Sequence, residues 1–122
     1  MNVLALDIGL RRTGVAFADV STGVPVALDT IHHKSFDELF LRIKKILEDK
    51  KVNHMVLGLP LLPSGDEGEQ CEHVRNFANL LENVITYSTV DERYTSFSNR
   101  EVDSDASAAV HILQTYLDCS EK

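Results

Sequence analysis

The apolar positions of this chain follow two different spacings, and the spacing predicts which segments are strands and which are helices. Residues 3–8 form an almost unbroken apolar run, which is typical of a strand buried on both faces of a sheet. Two further apolar stretches, 15–18 and 24–31, follow short turns that contain glycine. Because tight turns favour pairing between consecutive strands, residues 1–31 predict a three-strand antiparallel meander.

Helical spacing takes over after residue 34. Ser35 and Glu38 stand three residues apart, as in a capping box, and an apolar stripe at helical spacing follows them. The segments with such a stripe are 36–47, 71–81 and 106–117. Short apolar runs at 52–58 and 84–90 alternate with these helices, and strands in that position are expected to lie parallel to the first strand.

This order of elements predicts an α/β fold with a mixed five-stranded sheet. The sheet combines the three-strand antiparallel meander with two parallel strands, and helices cover both faces. A chain of 122 residues is expected to form a single domain, 1–122, with a core of its own. Its apolar runs all fall short of the roughly 20 residues of a membrane span, so we expect no membrane partner.

Charge and cysteine content narrow the class of protein. The net charge of −7 counts against a strong general affinity for nucleic acid, but it suits clustered carboxylates that bind metal ions. Cys71 and Cys119 lack metal-ligand spacing, and we expect two thiols in a reducing cytoplasm. The cations of the first helix, Arg42, Lys44 and Lys45 among them, are more simply a solvated helix face than a nucleic-acid contact.

One acidic residue interrupts the first apolar run. An unpaired charge in a core costs roughly several kcal/mol, so Asp7 needs a partner, and a cation is the obvious one. Gly9 and Gly14 bracket the following turn, which carries Arg11 and Arg12 at its tip. The alternative is that Asp7 only caps the turn by accepting hydrogen bonds from backbone amides.

Further acidic residues stand where they could join Asp7. Asp91 and Glu92 end the fifth predicted strand, and Asp105 opens the last helix. Ligand sites in such sheets form beyond the carboxyl ends of parallel strands, and oxygen ligands suit Mg²⁺ or Mn²⁺. Two such ions can promote phosphodiester hydrolysis. The alternative has Asp91 and Glu92 as solvated turn residues paired with Arg93, and Asp105 as part of a helix cap.

Five sequence blocks in a fixed order resemble the YqgF/RuvX family of ribonuclease H-like nucleases, also called Holliday junction resolvases and pre-16S rRNA nucleases. The blocks are Asp7–Ala16, Gly58–Leu61, Gly65–Gln70 with Val74–Arg75 and Phe77–Ala78, Asp91–Arg93 with Thr95, and Asp105–Gln114. The similarity covers nearly the whole chain and implies the ribonuclease H-like fold.

The resemblance also implies an acidic triad, matched here by Asp7, the Asp91–Glu92 pair and Asp105, with Glu92 favoured over Asp91 as the metal ligand. The implied activity is that of a metal-dependent endonuclease. Its expected substrate is the 5' end of precursor 16S rRNA, with branched DNA as the alternative. Guanidinium groups suit phosphate contacts, so Arg11, Arg12 and Arg93 are candidates for binding nucleic acid. A homodimer is one option for the assembly.

One departure from the family pattern bears on activity. Family members usually carry a longer, often lysine-rich segment before the last helix, whereas only residues 94–104 bridge that gap here. A non-catalytic nucleic-acid-binding module of the same fold is therefore a competing hypothesis. Actin-like ATPases also begin with an Asp-x-Gly hairpin, but they need a second, similar domain, for which 122 residues leave no room.

Overall fold

A mixed β-sheet forms the middle layer of the computed structural model, which describes residues 1–60, 64, 68–91 and 104–120, the side chains of 104–107 and 119–120 excepted. The strands are β1 (Asn2–Ile8), β2 (Arg12–Asp19), β3 (Val26–Ala27), β4 (Ile31–His32), β5 (His54–Leu59) and β6 (Tyr87–Asp91). The helices are α1 (Phe36–Asp49), α2 (Glu69–Leu81) and α3 (Ser104–Ser120). None of these helices is both long and apolar enough to cross a lipid bilayer.

The strands are arranged in the order β3-β2-β1-β5-β6, and β4 also pairs with β2. β2 is antiparallel to β1, β3 and β4, whereas β1, β5 and β6 run parallel to one another. The prediction of an α/β fold built from a meander and two parallel strands is therefore confirmed. The parallel strands have two ends, which we call the amino end, near Asn2 and His54, and the carboxyl end, near Asp7 and Asp91.

The third predicted strand is divided in two, so the described part of the chain has six strands where five were expected. β3 ends at Ala27, opposite Ala16, and β4 begins at Ile31, opposite Thr13. Three residues, 28–30, therefore stand opposite only two residues of β2. One extra residue in an edge strand is a β-bulge, which interrupts the ladder and bends the strand. We refer to residues 28–30 as the β3–β4 bulge.

The last strand also begins later than the sequence predicts. Val84 and Ile85 donate their backbone N–H groups to the carbonyl oxygen of Leu81, at 2.8 and 3.1 Å. These bonds fold both residues into the turn after α2, so pairing with β5 begins at Tyr87 instead of Val84.

Two apolar cores lie on the two faces of the sheet. Helices α1 and α2 cover one face, where Leu4, Leu6, Leu57 and Phe77 belong to the same buried cluster. Helix α3 covers the other face, where its buried side chains meet small ones of the sheet. That second cluster contains Val3, Ala5, Ala16, Ala18, Val56, Ala109, Ile112, Leu113 and Leu117. The prediction of helices on both faces is confirmed.

The start of α1 follows the predicted capping box with a shift of one residue. Ser35 Oγ accepts a hydrogen bond from the Glu38 backbone N–H at 3.1 Å. The Glu38 carboxylate accepts from the backbone N–H of Lys34 at 2.9 Å, one residue before the cap. Both bonds satisfy amides at the start of the helix, and they fix where the chain turns from β4 into α1.

Candidate active site

Asp7 lies at the carboxyl end of β1, on the face of the sheet that α3 covers. Side chains alternate between the two faces of a strand. Val3 and Ala5 pack in the α3 core, whereas Leu4 and Leu6 pack in the opposite core. The half-buried Asp7 continues the first series. The single acid of the apolar run therefore points to the side of the sheet where the last helix lies.

Glycines flank Asp7 on both neighbouring strands. Gly14 of β2 is its register partner in the antiparallel ladder. On the other side Leu6 pairs with Leu57, which puts Gly58 of β5 next to Asp7 in the parallel ladder. Because glycine has no side chain, the sheet forms a notch on either side of the Asp7 carboxylate. An ion or a phosphate oxygen could approach Asp7 through this notch.

The C-terminal half of helix α3 lies at the amino end of the parallel strands. Its Tyr116 ring stacks on the His54 ring at the amino end of β5, with 5.6 Å between centroids. Asp105 precedes Tyr116 by eleven residues, which corresponds to about 16 Å along the helix axis at 1.5 Å per residue. Asp7 is about 13 Å along β1 from Val3, the partner of His54. A helix axis along β1 would bring the backbone of Asp105 near the level of Asp7; the side chain of Asp105 lies outside the description.

Asp91 shares the carboxyl end with Asp7 but not the face. It pairs with Leu59 of β5, and Leu59 packs in the core formed by α1 and α2. Its β6 neighbour Val90 packs against the α3 core instead. β5 separates the two acids, and two strand spacings amount to about 9.6 Å. The structure does not bring Asp91 to the face that carries Asp7. Glu92 and Arg93 lie outside the described residues.

The tip of the β1–β2 hairpin is held by a close backbone contact. The Gly9 N–H donates to the carbonyl oxygen of Arg12 at 3.0 Å. A Cβ atom at residue 9 would lie 2.5 Å from that same oxygen, so only glycine fits without a shift of the backbone. Arg11 and Arg12 are exposed, as the sequence predicts. The tip therefore presents two guanidinium groups within five residues of Asp7.

A buried polar pair supports this tip from below, and the sequence analysis missed it. Thr13 and His33 are 0% and 4% exposed, and Thr13 Oγ1 lies 2.9 Å from His33 Nε2. The backbone N–H of His33 donates to the Arg11 carbonyl oxygen at 2.9 Å. Among the described residues, His33 Nδ1 finds no hydrogen-bond partner. Since 20 residues separate the pair, no local sequence signal reveals it.

The electrostatics of His33 follow from its burial. Loss of solvent lowers the pKa of the ring below its usual 6.5, and the charges of Arg42 and His32 lower it further. A backbone hydrogen bond with Ser35 and the Glu38 carboxylate act in the opposite direction and raise the pKa. The ring is therefore neutral at pH 7, as its position beside the apolar core requires. A neutral ring can hold Thr13 without adding a positive charge below the hairpin tip.

Of the predicted metal ligands, the structure describes the side chain of Asp7. Among the side chains that the structure describes, no three histidine, cysteine or carboxylate side chains are grouped to hold a metal ion. Two of the predicted ligands, Glu92 and Asp105, have side chains outside this description. Asp7, the remaining one, has the hard oxygen donors that Mg²⁺ and Mn²⁺ prefer. The set of Asp7, Glu92 and Asp105 stays a prediction.

Comparisons with known sequences identify the relatives of the chain. The model of the family described as "RuvX: Holliday junction resolvase" matches residues 1–119. The chain is 36% identical to a protein of Sulfurihydrogenibium sp. (strain YO3AOP1), with 95% of this chain and 89% of the relative aligned. It is 35% identical to one of Dictyoglomus thermophilum, with 98% and 97% aligned. Both relatives are named "Putative pre-16S rRNA nuclease".

Comparisons with solved structures place the fold. RuvC of Thermus thermophilus superposes with a TM-score of 0.72 at 10% identity, covering 99% of this chain and 96% of RuvC. The Fowlpox virus resolvase, solved with Holliday junction DNA, superposes with a TM-score of 0.59 at 10% identity and full coverage of both chains. At such low identity the likeness concerns the fold, and it confirms the predicted ribonuclease H-like architecture.

Proposed function

Since the chain belongs to the RuvX family of nucleases, we propose that it cleaves the phosphodiester backbone of precursor 16S rRNA in the course of 5'-end processing. Two relatives that match the chain over almost their whole lengths carry the name of a pre-16S rRNA nuclease. The family description names a second substrate, the Holliday junction. Cleavage of branched DNA is therefore the alternative that the experiment must separate.

The placement of Asp7 carries the proposal. A half-buried carboxylate on a central strand, with glycines on both neighbouring strands, suits the approach of an ion and a phosphate. We propose Asp7, Glu92 and Asp105 as the ligands. Glu92 is preferred over Asp91 because Asp91 lies on the opposite face of the sheet.

Family membership brings with it a need for a divalent metal ion, and we propose Mg²⁺ or Mn²⁺. When bound, the ion would supply Lewis-acid stabilisation of the scissile phosphate and a water activated for attack. The chain's own contribution is to hold the ligands on rigid elements and to seat the substrate. Arg11 and Arg12, exposed at the hairpin tip, suit bidentate contacts to phosphate oxygens, and we assign Arg93 the same task.

We place this activity in the cytoplasm, where a ribosomal RNA precursor is met. Cys71 is buried and forms no disulfide bond, which fits a reducing compartment. A homodimer belongs to the alternative proposal, because a branched DNA substrate with two-fold symmetry would match two sites related by the same symmetry.

The decisive experiment compares precursor 16S rRNA with a four-way DNA junction, each with Mg²⁺, Mn²⁺ or EDTA. We expect metal-dependent cleavage of the rRNA by the wild type. Asp7→Asn should lower the rate at least about 100-fold, since even loss of a residue that only supports a metal ligand costs 10–100-fold. Asp37→Asn is the matched control, because Asp37 is exposed at the start of α1 on the other face.

Each other outcome has a definite reading. Cleavage of the junction but not of the rRNA would replace the proposed substrate with branched DNA. Binding without cleavage of either nucleic acid would make the chain a non-catalytic binding module. Equal rates for Asp7→Asn and Asp37→Asn would remove Asp7 from the active site.

A further inference from the structure

An open groove runs between the β3–β4 bulge and the second half of α1, away from the notch at Asp7. Its volume is about 340 Å³. Leu28, Asp29 and Thr30 line one wall, and α1 lines the other with Arg42, Lys45 and Asp49. Lys50 closes the far end, with its ammonium group 5.3 Å from the centroid of the Phe17 ring. We call this feature the α1 groove.

Cationic side chains outnumber acidic ones in the α1 groove, although the chain as a whole is acidic. Half of the twelve lysine and arginine residues lie within residues 34–51, while the whole chain carries a net charge of −7. Arg42, Lys45 and Lys50 outnumber the two acids of the groove, Asp29 and Asp49. Within the described part of the chain, neither Arg42 nor Lys45 forms an ion pair. Their charges are therefore available to an anionic ligand.

The groove is joined to the hairpin tip by a short, hydrogen-bonded stretch of edge strand. His32 pairs with Arg12, and the His33 N–H donates to the Arg11 carbonyl oxygen. At the other end of this stretch, the Leu28 N–H donates to the Val15 carbonyl oxygen at 2.8 Å. Three residues along β2, from Arg12 to Val15, span about 10 Å. Three nucleotides of one strand rise about the same distance along a duplex.

The cationic side chains of the groove and its short connection to the hairpin tip together define a path for a polyanion. A sugar–phosphate strand that leaves the hairpin tip would cross the β4 edge and meet the α1 groove about three nucleotides later. The bulge makes this passage possible, because it bends the edge strand and removes its regular ladder at the mouth of the groove.

We propose that the α1 groove binds the sugar–phosphate backbone of the substrate flank that extends beyond the hairpin tip, with Arg42 and Lys45 as phosphate contacts. The proposal rests on the proposed function, since it extends the path of the same substrate. It explains how a chain of net charge −7 holds a polyanion: the contacts are concentrated along one edge of the sheet.

The test compares two double variants in the Asp7→Asn background, which preserves the substrate during binding measurements. Arg42→Gln/Lys45→Gln removes two charges from the groove. Lys44→Gln/Lys51→Gln removes two charges from the same helix region outside the groove. All four positions are exposed, so unchanged melting temperatures are expected and should be checked first.

Each double variant is titrated, over a series of salt concentrations, with a short substrate that ends at the hairpin tip and a longer one with a flank of about ten nucleotides. Two lost phosphate contacts flatten the slope of log K against log salt by about 1.4 for a single strand. We expect this loss for the groove variant with the long substrate, and not for Lys44→Gln/Lys51→Gln. Asp29→Asn/Asp49→Asn should change the affinity in the opposite direction, because it removes repulsion.

Equal flattening by both double variants, or an equal effect on both substrate lengths, would overturn the proposal in favour of diffuse electrostatic attraction. Failure of the proposed function looks different. If the wild type cleaves neither substrate, yet the groove variant still weakens binding of the long substrate, the groove proposal stands and the nuclease assignment falls. If the wild type cleaves the substrate but the groove variant leaves affinity and salt slope unchanged, the nuclease assignment stands and the groove proposal falls.

Discussion

The two ends of the parallel strands differ in the side chains that they carry. At the amino end, the Asn2 side chain donates to the carbonyl oxygens of Lys50 and Lys51 at 2.9 and 3.2 Å, and the Asn2 N–H donates to Asn53 Oδ1 at 2.7 Å. His54 also has both ring nitrogens occupied, since Nδ1 and Nε2 each lie 2.8 Å from a hydroxyl, of Thr86 and Ser88.

At the carboxyl end the sheet lacks side-chain packing around Asp7. Glycines flank Asp7 where other strands would place side chains, and the buried His33 keeps one ring nitrogen without a partner in the described structure. An unpaired buried polar group costs about 1–3 kcal/mol. Under the proposed function, the amino end supplies stability and the carboxyl end holds the chemistry. Substitutions should therefore separate the two, with losses of activity at one end and losses of stability alone at the other.

The largest effect is expected at Gly9, where stability and activity should fall together. Gly9→Ala places a Cβ atom 2.5 Å from the Arg12 carbonyl oxygen, so the hairpin tip must shift. Overpacking of this kind costs about 1–3 kcal/mol. The shift displaces Arg11 and Arg12, and cleavage should drop even at temperatures where the variant is folded. Denaturant unfolding and cleavage rates measure the two effects.

Gly23 provides the matched control for Gly9 at the amino end. Its φ is positive, at 69°, a conformation that residues with a side chain disfavour, so Gly23→Ala also loses some stability. A Cβ atom there would nevertheless have open space around it, so no neighbour is displaced. The turn that contains Gly23 follows β2 at the amino end, and cleavage per folded molecule should not change. If Gly9→Ala lost no more activity than Gly23→Ala, the tip would have no part in catalysis.

At the amino end, His54→Ala should cost stability without loss of activity. The change leaves the hydroxyls of Thr86 and Ser88 without their ring partner and removes the stacking on Tyr116. We expect a loss of about 1–2 kcal/mol in the free energy of unfolding. Cleavage rates well below the melting temperature should equal those of the wild type. A fall in those rates would show that the two ends are not separate in function.

The sequence predicts those parts of the fold that depend on neighbours along the chain. The start of α1 was predictable because Ser35 and Glu38 satisfy amides within a few residues of themselves. Asp7 was identifiable because a charge in an apolar run needs a physical reason. Both signals lie within a short window, where residue spacing determines the structure.

Features that depend on register were not predictable. The β3–β4 bulge exists only in relation to β2, and the face of Asp91 depends on where β6 pairs with β5. The run from Val84 is apolar enough for a strand, yet its first residues serve the turn after α2. His33 belongs to the same class, because its partner Thr13 is distant in sequence. The sequence thus names the candidate residues one by one, but it does not predict on which face of the sheet each of them lies.

The smallest effect is a dependence of stability on pH that both ends share. Burial lowers the pKa of His33 and of His54 below the usual 6.5. In the unfolded chain the pKa of each ring returns to about 6.5. At pH values between the lower folded pKa and 6.5, the unfolded state therefore binds more protons than the folded state. Their contribution to stability is therefore complete above about pH 6.5 and is lost as the pH falls toward the folded values. One proton gives a slope of at most about 1.4 kcal/mol per pH unit.

Glutamine variants assign this slope to the two ends. His33→Gln and His54→Gln keep a polar group in each position but remove the titration. Each should therefore flatten the decline of the free energy of unfolding between about pH 7 and pH 5, and the double variant should flatten it most. Denaturant unfolding at a series of pH values measures the decline.

The two histidines differ in one respect that the comparison can use. Burial lowers the pKa of His54. At His33 a backbone hydrogen bond with Ser35 and the Glu38 carboxylate favour the protonated ring and offset part of the effect of burial on the pKa. Acid should therefore weaken the amino end more, and His54→Gln should flatten the decline more than His33→Gln. The reverse order would show that the hydroxyl partners of His54 stabilise its protonated ring more than Ser35 and Glu38 stabilise that of His33.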